Sequence, residues 1–361
     1  MILSACGGAT TKTPVILRIG YAGSPDSLNP TAGMLSEAWT IYELVYSSIY
    51  KPQFDNSFKL DLGESVTPSA DNLSYTIKIK PNVKFHDGTP LTAKDVAFSL
   101  NFYRENTDFP YMNGYTTSFA DATAKDDTTV ILTLNSPVPN IDYLLAYLFI
   151  LPEHIWSTHT GSDAMQFDNA AMIGSGAFKL LDYAQGEYVH LAKNPDYYGT
   201  KPKIDEVAFQ TFSNEDALVQ AIKTSQVDMI TEFPLTALDT LRSTPNIKVV
   251  SGPAMSPELN DLLINQVSAS NCPTAAGGKC TGHPALQDLV VRQALAHAID
   301  KQQLVNIVLL GEGNPGLTLI PEALSPWYNT TLKDYSFDVA LANQMLDQAG
   351  YKDIDGDGIR E

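Results

Sequence analysis

Between Tyr75 and Tyr103 the apolar positions change period, which predicts where a strand hands over to a helix. Tyr75, Ile77 and Ile79 alternate with Thr76, Lys78 and Lys80, the period-two pattern of a half-buried strand. Pro81-Asn82 interrupts it, Val83 to Phe85 resumes it, and His86-Asp87-Gly88 supplies a second turn. Thr92 then stands ahead of Asp95 at the spacing of a capping box, and Val96, Leu100 and Tyr103 recur at helical spacing. The same signals predict a strand over Val15–Tyr21, a helix over Trp39–Tyr50, a strand over Thr129–Asn135 and an apolar helical segment over Ile141–Ile150. A strand pair runs from Phe178 to Ala192, turned at Gln185-Gly186. Asn214 caps a helix with Leu218, Ala221 and Ile222 inside; a strand over Val227–Ile230, a loop over Thr231–Pro234 and a strand over Lys248–Gly252 follow. Near the end, Asp300 with Gln303 opens a helix that stops at Gly311. Val339, Ala342, Leu346 and Ala349 make the apolar face of another helix, with Gly350 as its C-cap. Helices and strands mix without strict alternation, so the expected fold class is mixed α/β (α+β).

A chain of 361 residues can build more than one core, and two lobes are expected. The formal charge of −18 argues against nucleic acid or an anionic membrane surface as partner. No apolar run approaches the length of a membrane span. Signatures of catalysis are missing: there is no G-x-S-x-G, H-E-x-x-H, phosphate-binding P-loop or G-x-G-x-x-G. His154 and His159 are five apart, which would put them on different faces of a helix, so they read as surface or capping residues rather than metal ligands. Asp353, Asp355 and Asp357, with Gly358 and Ile359 following, match the first half of a calcium loop; the plainer reading is a solvated acidic turn.

The stretch FHDGTPLTAKDVAFS from Phe85 to Ser99 closely resembles the signature of bacterial extracellular solute-binding proteins of the oligopeptide, dipeptide and nickel class. Further motifs follow in family order. SLNPT at Ser27–Thr31 resembles S-L-D-P, with Asn29 for Asp; GSGAFKL at Gly174–Leu180 resembles G-T-G-P-Y-K-L; NPDYYG at Asn194–Gly199 resembles N-P-x-Y-W-G. VRQALAHAIDKQQLV at Val291–Val305, and the A-G-Y that ends the last helix, complete the series. The resemblance implies a two-lobed periplasmic-binding-protein-like fold with an extra strand-rich subdomain, truncated at its C-terminus. It divides the chain into a lipobox and tether (1–14), first lobe (15–63 and 167–250), strand-rich subdomain (64–166) and incomplete second lobe (251–361).

The function implied is that of a receptor for an ABC importer. It would bind a small solute, above all a short peptide, between its lobes and hand it to permease subunits, as a monomer and without catalysis. A secreted hydrolase and a sensory or chaperone-like surface protein are the alternatives. By resemblance, Gly33, Met34 and Leu35 meet an extended ligand through their backbone, Tyr111 borders it, and Glu232 and Phe233 lie in a ligand-contacting loop. Leu3-Ser4-Ala5-Cys6 resembles a lipobox, so Cys6 is expected to carry a lipid anchor outside the cytoplasmic membrane or in the periplasm. In such an exported protein Cys272 and Cys280, with seven residues between them in NCPTAAGGKC, fit a local disulfide, with two free thiols as the alternative. No cofactor is expected beyond the calcium reading.

Overall fold

The computed structural model describes residues 13–250, 259–272, 280–324 and 327–360. The chain divides into two compact units, Met1–Ser251 and Gly252–Glu361. Unit 1 opens with β1 (Ile16–Tyr21), α1 (Ser36–Val45), the hairpin β2 (Tyr50–Pro52) and β3 (Phe58–Leu60), then β4 (Gly63–Pro68) and β5 (Ser74–Ile79). It continues through α2 (Ala93–Glu105), α3 (Met112–Thr116), β6 (Phe119–Asp126), β7 (Thr129–Leu134) and the short helices α4 (Ile141–Ala146), α5 (Glu153–Trp156) and α6 (Gly161–Gln166). It closes with β8 (Phe178–Ala184), β9 (Tyr188–Lys193), β10 (Glu206–Thr211), α7 (Glu215–Lys223), β11 (Met229–Ile230) and α8 (Leu238–Ser243). The described helices of unit 2 include α9 (Leu289–Ala298), α10 (Lys301–Val308) and α11 (Val339–Ala349).

Two larger sheets organise unit 1. One has the order β11-β1-β10-β9-β8, with β1 parallel to both its neighbours and the remaining pairs antiparallel. The other, β4-β5-β7-β6, is antiparallel throughout. Their cores are continuous: Ile77 and Val130 of the second sheet belong to the same buried cluster as Phe209 and Leu191 of the first. The strand-rich region therefore has its own sheet while sharing its core with the rest of the unit.

Local signals hold where the chemistry is local. β5 buries Tyr75, Ile77 and Ile79. Thr92 and Asp95 make the reciprocal capping box of α2, whose Val96, Leu100 and Tyr103 are buried. Asn214 accepts from the Ala217 N–H at the start of α7, and Gly350 ends α11 at φ 95°. Other expectations are corrected by contacts from far along the chain. α1 ends at Val45 rather than Tyr50, because the Val45 carbonyl accepts from the Gly176 N–H at 2.8 Å. α4 ends at Ala146; beyond it the Ile150 N–H bonds to the Ser47 carbonyl, so the tails of two expected helices pair with each other instead.

Val83–Phe85 makes only one bridge, Lys84 to Pro90, because Phe85 turns back onto Thr89. The strand expected over Val227–Ile230 shortens to β11. Asp228 is drawn onto Arg18, whose guanidinium it holds through two oxygens at 2.9 and 2.7 Å. Lys248–Val250 is not a strand, and the rest of that expectation lies outside the described residues. α10 stops at Val308, where Leu310 and Gly311 take positive φ. On α11 the buried position is Ala342, while Val339 and Ala349 are exposed. Among the described residues no helix is long and apolar enough to cross a membrane.

Candidate ligand-binding surface

Three of the motifs quoted above, those holding His86, Gly174–Gly176 and Asn194, meet at one buried junction of unit 1, and it is scaffolding. Gly174 and Gly176 press against the C-terminal end of α1: a Cβ on Gly176 would lie 2.4 Å from the Leu44 carbonyl oxygen. His86 sits across the same turn. Its Nε2 donates to the Gly176 carbonyl at 3.2 Å and its Nδ1 accepts from the Gly174 N–H at 3.3 Å. That arrangement requires the neutral ring, and burial lowers the His86 pKa accordingly. Asn194 of NPDYYG donates to the same Gly176 carbonyl at 3.0 Å. Asn29 of SLNPT is buried elsewhere in unit 1. Its Nδ2 donates to the carbonyls of Ala164 (2.6 Å) and Phe167 (2.9 Å), and its Oδ1 accepts from the N–H and hydroxyl of Thr31. An amide meets both demands, which a carboxylate could not.

The surface lies at the N-terminal end of α1. Gly33 is buried because the Tyr42 ring crosses it; a Cβ there would fall 2.1 Å from the Tyr42 hydroxyl. Met34 and Leu35 are about half exposed, at 52% and 47%. Their backbone N–H groups are spent on Asp26, whose carboxylate accepts them at 2.8 and 3.2 Å. The Gly33 carbonyl accepts from Trp39 Nε1 at 3.2 Å, and the Tyr111 ring meets Trp39 edge-on at 6.1 Å. Gly33, Met34, Leu35 and Tyr111 are thus brought together around Trp39. Neither Trp39 nor Asp26 was singled out from the sequence. Trp39 reads as one more apolar helix position, and only the spacing S-P-D before SLNPT hints at Asp26. From Trp39 the aromatic contacts continue to Tyr147 and Phe149, and from Tyr147 to Tyr115 and Tyr143.

Glu232 and Phe233 follow β11, at the carboxyl ends of the parallel strands. Glu232 Oε1 accepts from the Ala22 N–H, just past β1, at 3.0 Å. Glu232 is exposed and Phe233 half-buried. The Tyr21 hydroxyl is held protonated by burial, with the fields of Glu37 and Glu232 acting in the same direction.

Outside this surface, Cys272 and Cys280 form a disulfide. Asp353, Asp355 and Asp357 can bring one oxygen each within 4.8 Å of the others. Those carboxylates accept from the N–H groups of Gly356, Asp357, Gly358 and Ile359, bonds that shape the turn itself. His154 and His159 bind separate carboxylates, Asp87 and Asp163, each at 2.8 Å. Cys6 lies outside the described residues.

Residues 57–360 match the family described as bacterial extracellular solute-binding proteins, family 5 Middle. The oligopeptide-binding protein AppA of Bacillus subtilis (strain 168) is 29% identical over 378 residues, covering 99% of this chain and 66% of that protein. The solved structure of that protein with a nonapeptide superimposes with a TM-score of 0.71 at 27% identity, covering 97% of this chain and 67% of the other. The substrate-binding protein CtaP of Listeria monocytogenes gives a TM-score of 0.78 at 25% identity, over 94% of this chain and 66% of that one. The chain spans 58–66% of the length of curated relatives it matches.

Proposed function

The chain belongs to the bacterial extracellular solute-binding proteins of family 5, and from that premise we propose that it is the extracytoplasmic substrate-binding component of an ABC importer. Its solute is a short peptide, which it captures and delivers to membrane permease subunits without altering it. The observation that carries this reading is the family match over residues 57–360, joined by a relative named as an oligopeptide-binding protein whose structure holds a nonapeptide. The surface around Trp39 supports it. A rigid aromatic platform beside exposed Met34, Leu35 and Tyr111 offers apolar area, and the carbonyl and carboxylate oxygens around it accept hydrogen bonds from a peptide's N–H groups. The proposal extends to a lipid anchor through Cys6 and to a monomeric state. The charge of −18 argues against nucleic acid as a partner.

The test is to purify the protein from its natural host, denature it, and identify what is released by mass spectrometry. Intact short peptides support the reading, and titration of the emptied protein with those peptides should return the binding. Consistent release of a non-peptide solute would overturn the peptide assignment. Release of cleaved products, with turnover of added peptide, would favour the hydrolase.

A further inference from the structure

Glu37 and Glu232 flank the Ala22-Gly23 turn beside α1, and resting on the peptide reading above that charge narrows the ligand. We propose that this surface selects peptides carrying a positive charge beside an apolar or aromatic group, with Glu37 and Glu232 taking the charge and Trp39 and Tyr111 the apolar part.

Several observations converge on it. Four of the local N–H donors are already used: those of Met34 and Leu35 by Asp26, that of Ala22 by Glu232, and that of Gly33 by the Asn29 carbonyl. The carboxylates of Glu37 and Glu232 remain as charged acceptors for a ligand. Glu37 lies over Gly23, where a Cβ would come 2.7 Å from its Oε1, so its charge is held beside the Ala22-Gly23 turn that Glu232 also grips. Among the described residues Asp26, Glu37 and Glu232 have no salt-bridge partner. The sequence offers none nearby either. Ile19–Tyr50, Glu206–Ile222 and Thr224–Leu241 contain no Lys or Arg, and Arg18 is committed to Asp228.

Within the field of Glu37 and Glu232 the Tyr21 hydroxyl is buried, with the residue only 5% exposed, and it has no hydrogen bond; the neighbouring Thr40 hydroxyl donates to the Ser36 carbonyl instead. A Tyr hydroxyl can accept as well as donate, so a cation entering here would meet a third oxygen. On the other side of the helix end, Tyr111 is 46% exposed and stands edge-on to Trp39. It offers a ring to an apolar side chain, or a ring face to a guanidinium or ammonium.

The positive charge could be a peptide's N-terminal ammonium or a Lys or Arg side chain, and the experiment separates the two. The protein is titrated calorimetrically with the tetrapeptide Ala-Lys-Phe-Ala and its counterparts bearing norleucine or Glu in place of Lys, each with a free and an acetylated N-terminus. The expected result is that the most positive peptide binds at least about tenfold tighter than the Glu peptide, roughly 1.4 kcal/mol. The advantage should shrink in high salt and collapse in the Glu37→Gln/Glu232→Gln double variant.

Loss of the advantage on acetylation identifies the ammonium as the recognised charge, and loss on replacing Lys by norleucine identifies the side chain. Either supports the proposal. Equal affinity across the charge series overturns it, as does a double variant that weakens all the peptides alike and keeps their order. If no peptide binds, the peptide reading itself fails and this inference with it, an outcome distinct from binding without charge preference.

Discussion

Unit 1 and unit 2 carry motifs of the same family, yet they are held together differently. In unit 1 the apolar residues close on themselves. Trp156, Tyr42, Tyr103, Phe109 and Phe209 are essentially inaccessible, and one cluster links both sheets. In unit 2 the described buried apolar residues are Val291, Ala294, Val305 and Ala342, while Leu263, Leu289, Leu304, Ile307, Val308 and Trp327 are more than half exposed. Amphipathic helices with sound caps are present in both, since Asp288, Asp300 and Asp338 each cap a helix of unit 2. The difference teaches that a capped, patterned helix is a local event, whereas a core needs a second surface to meet it. Unit 2 has a covalent substitute in Cys272–Cys280.

The strongest way to break the comparison is Gly176→Ala. Its new Cβ would meet the backbone at Leu44 and Val45, which cannot yield without moving α1. Unit 1 should lose about 3–4 kcal/mol of stability in urea unfolding followed by near-ultraviolet circular dichroism. An unchanged midpoint would mean that the junction is not tight.

Replacing both Cys272 and Cys280 by Ser tests the other side of the comparison. The closed loop is short, so the expected loss is about 2.5 kcal/mol, confined to unit 2. Hydrogen exchange read by mass spectrometry should show faster exchange in α9–α11 and no change in the sheets of unit 1.

Asn29→Asp places a carboxylate against the carbonyls of Ala164 and Phe167. Unit 1 should be destabilised by about 2 kcal/mol at neutral pH, and less in acid, where the protonated side chain donates again. A variant as stable as the parent at pH 7 would show that the 164–167 segment rearranges.

His86 gives the smallest expected effect, and it has a sign. Burial lowers its folded pKa, so the unfolded chain takes up the proton first. The contribution is complete above the unfolded value of about 6.5 and is lost as pH falls through it toward the folded value. The urea midpoint of unit 1 should therefore drop between pH 7.5 and 5, and His86→Gln should flatten that drop. An identical pH profile in the variant would exclude His86 as its source.

Much of unit 1's fold was legible in the sequence, because its signals act within a few residues. The alternation in β5, the capping box of α2, the turn at Gly186 with φ 75° and the cap of α7 need only their neighbours. The family, too, was written in motifs that can be read in order. The candidate surface was less legible. Gly33, Met34, Leu35 and Tyr111 were named, and the structure gathers them, but their centre, Trp39, looked like an ordinary helix residue.

What the sequence by itself determined was thus some of the elements, their local caps and the family. Only the tertiary structure decided that α1 ends at Val45, since the N–H that claims its carbonyl comes from Gly176. It also decided that GSGAF, NPDYYG and His86 are scaffold, while the N-terminal end of α1 faces outward. The physical reason is the range of the forces. Periodicity and capping are set by covalent neighbours, whereas burial and the competition for backbone hydrogen bonds are settled by whichever distant segment packs alongside.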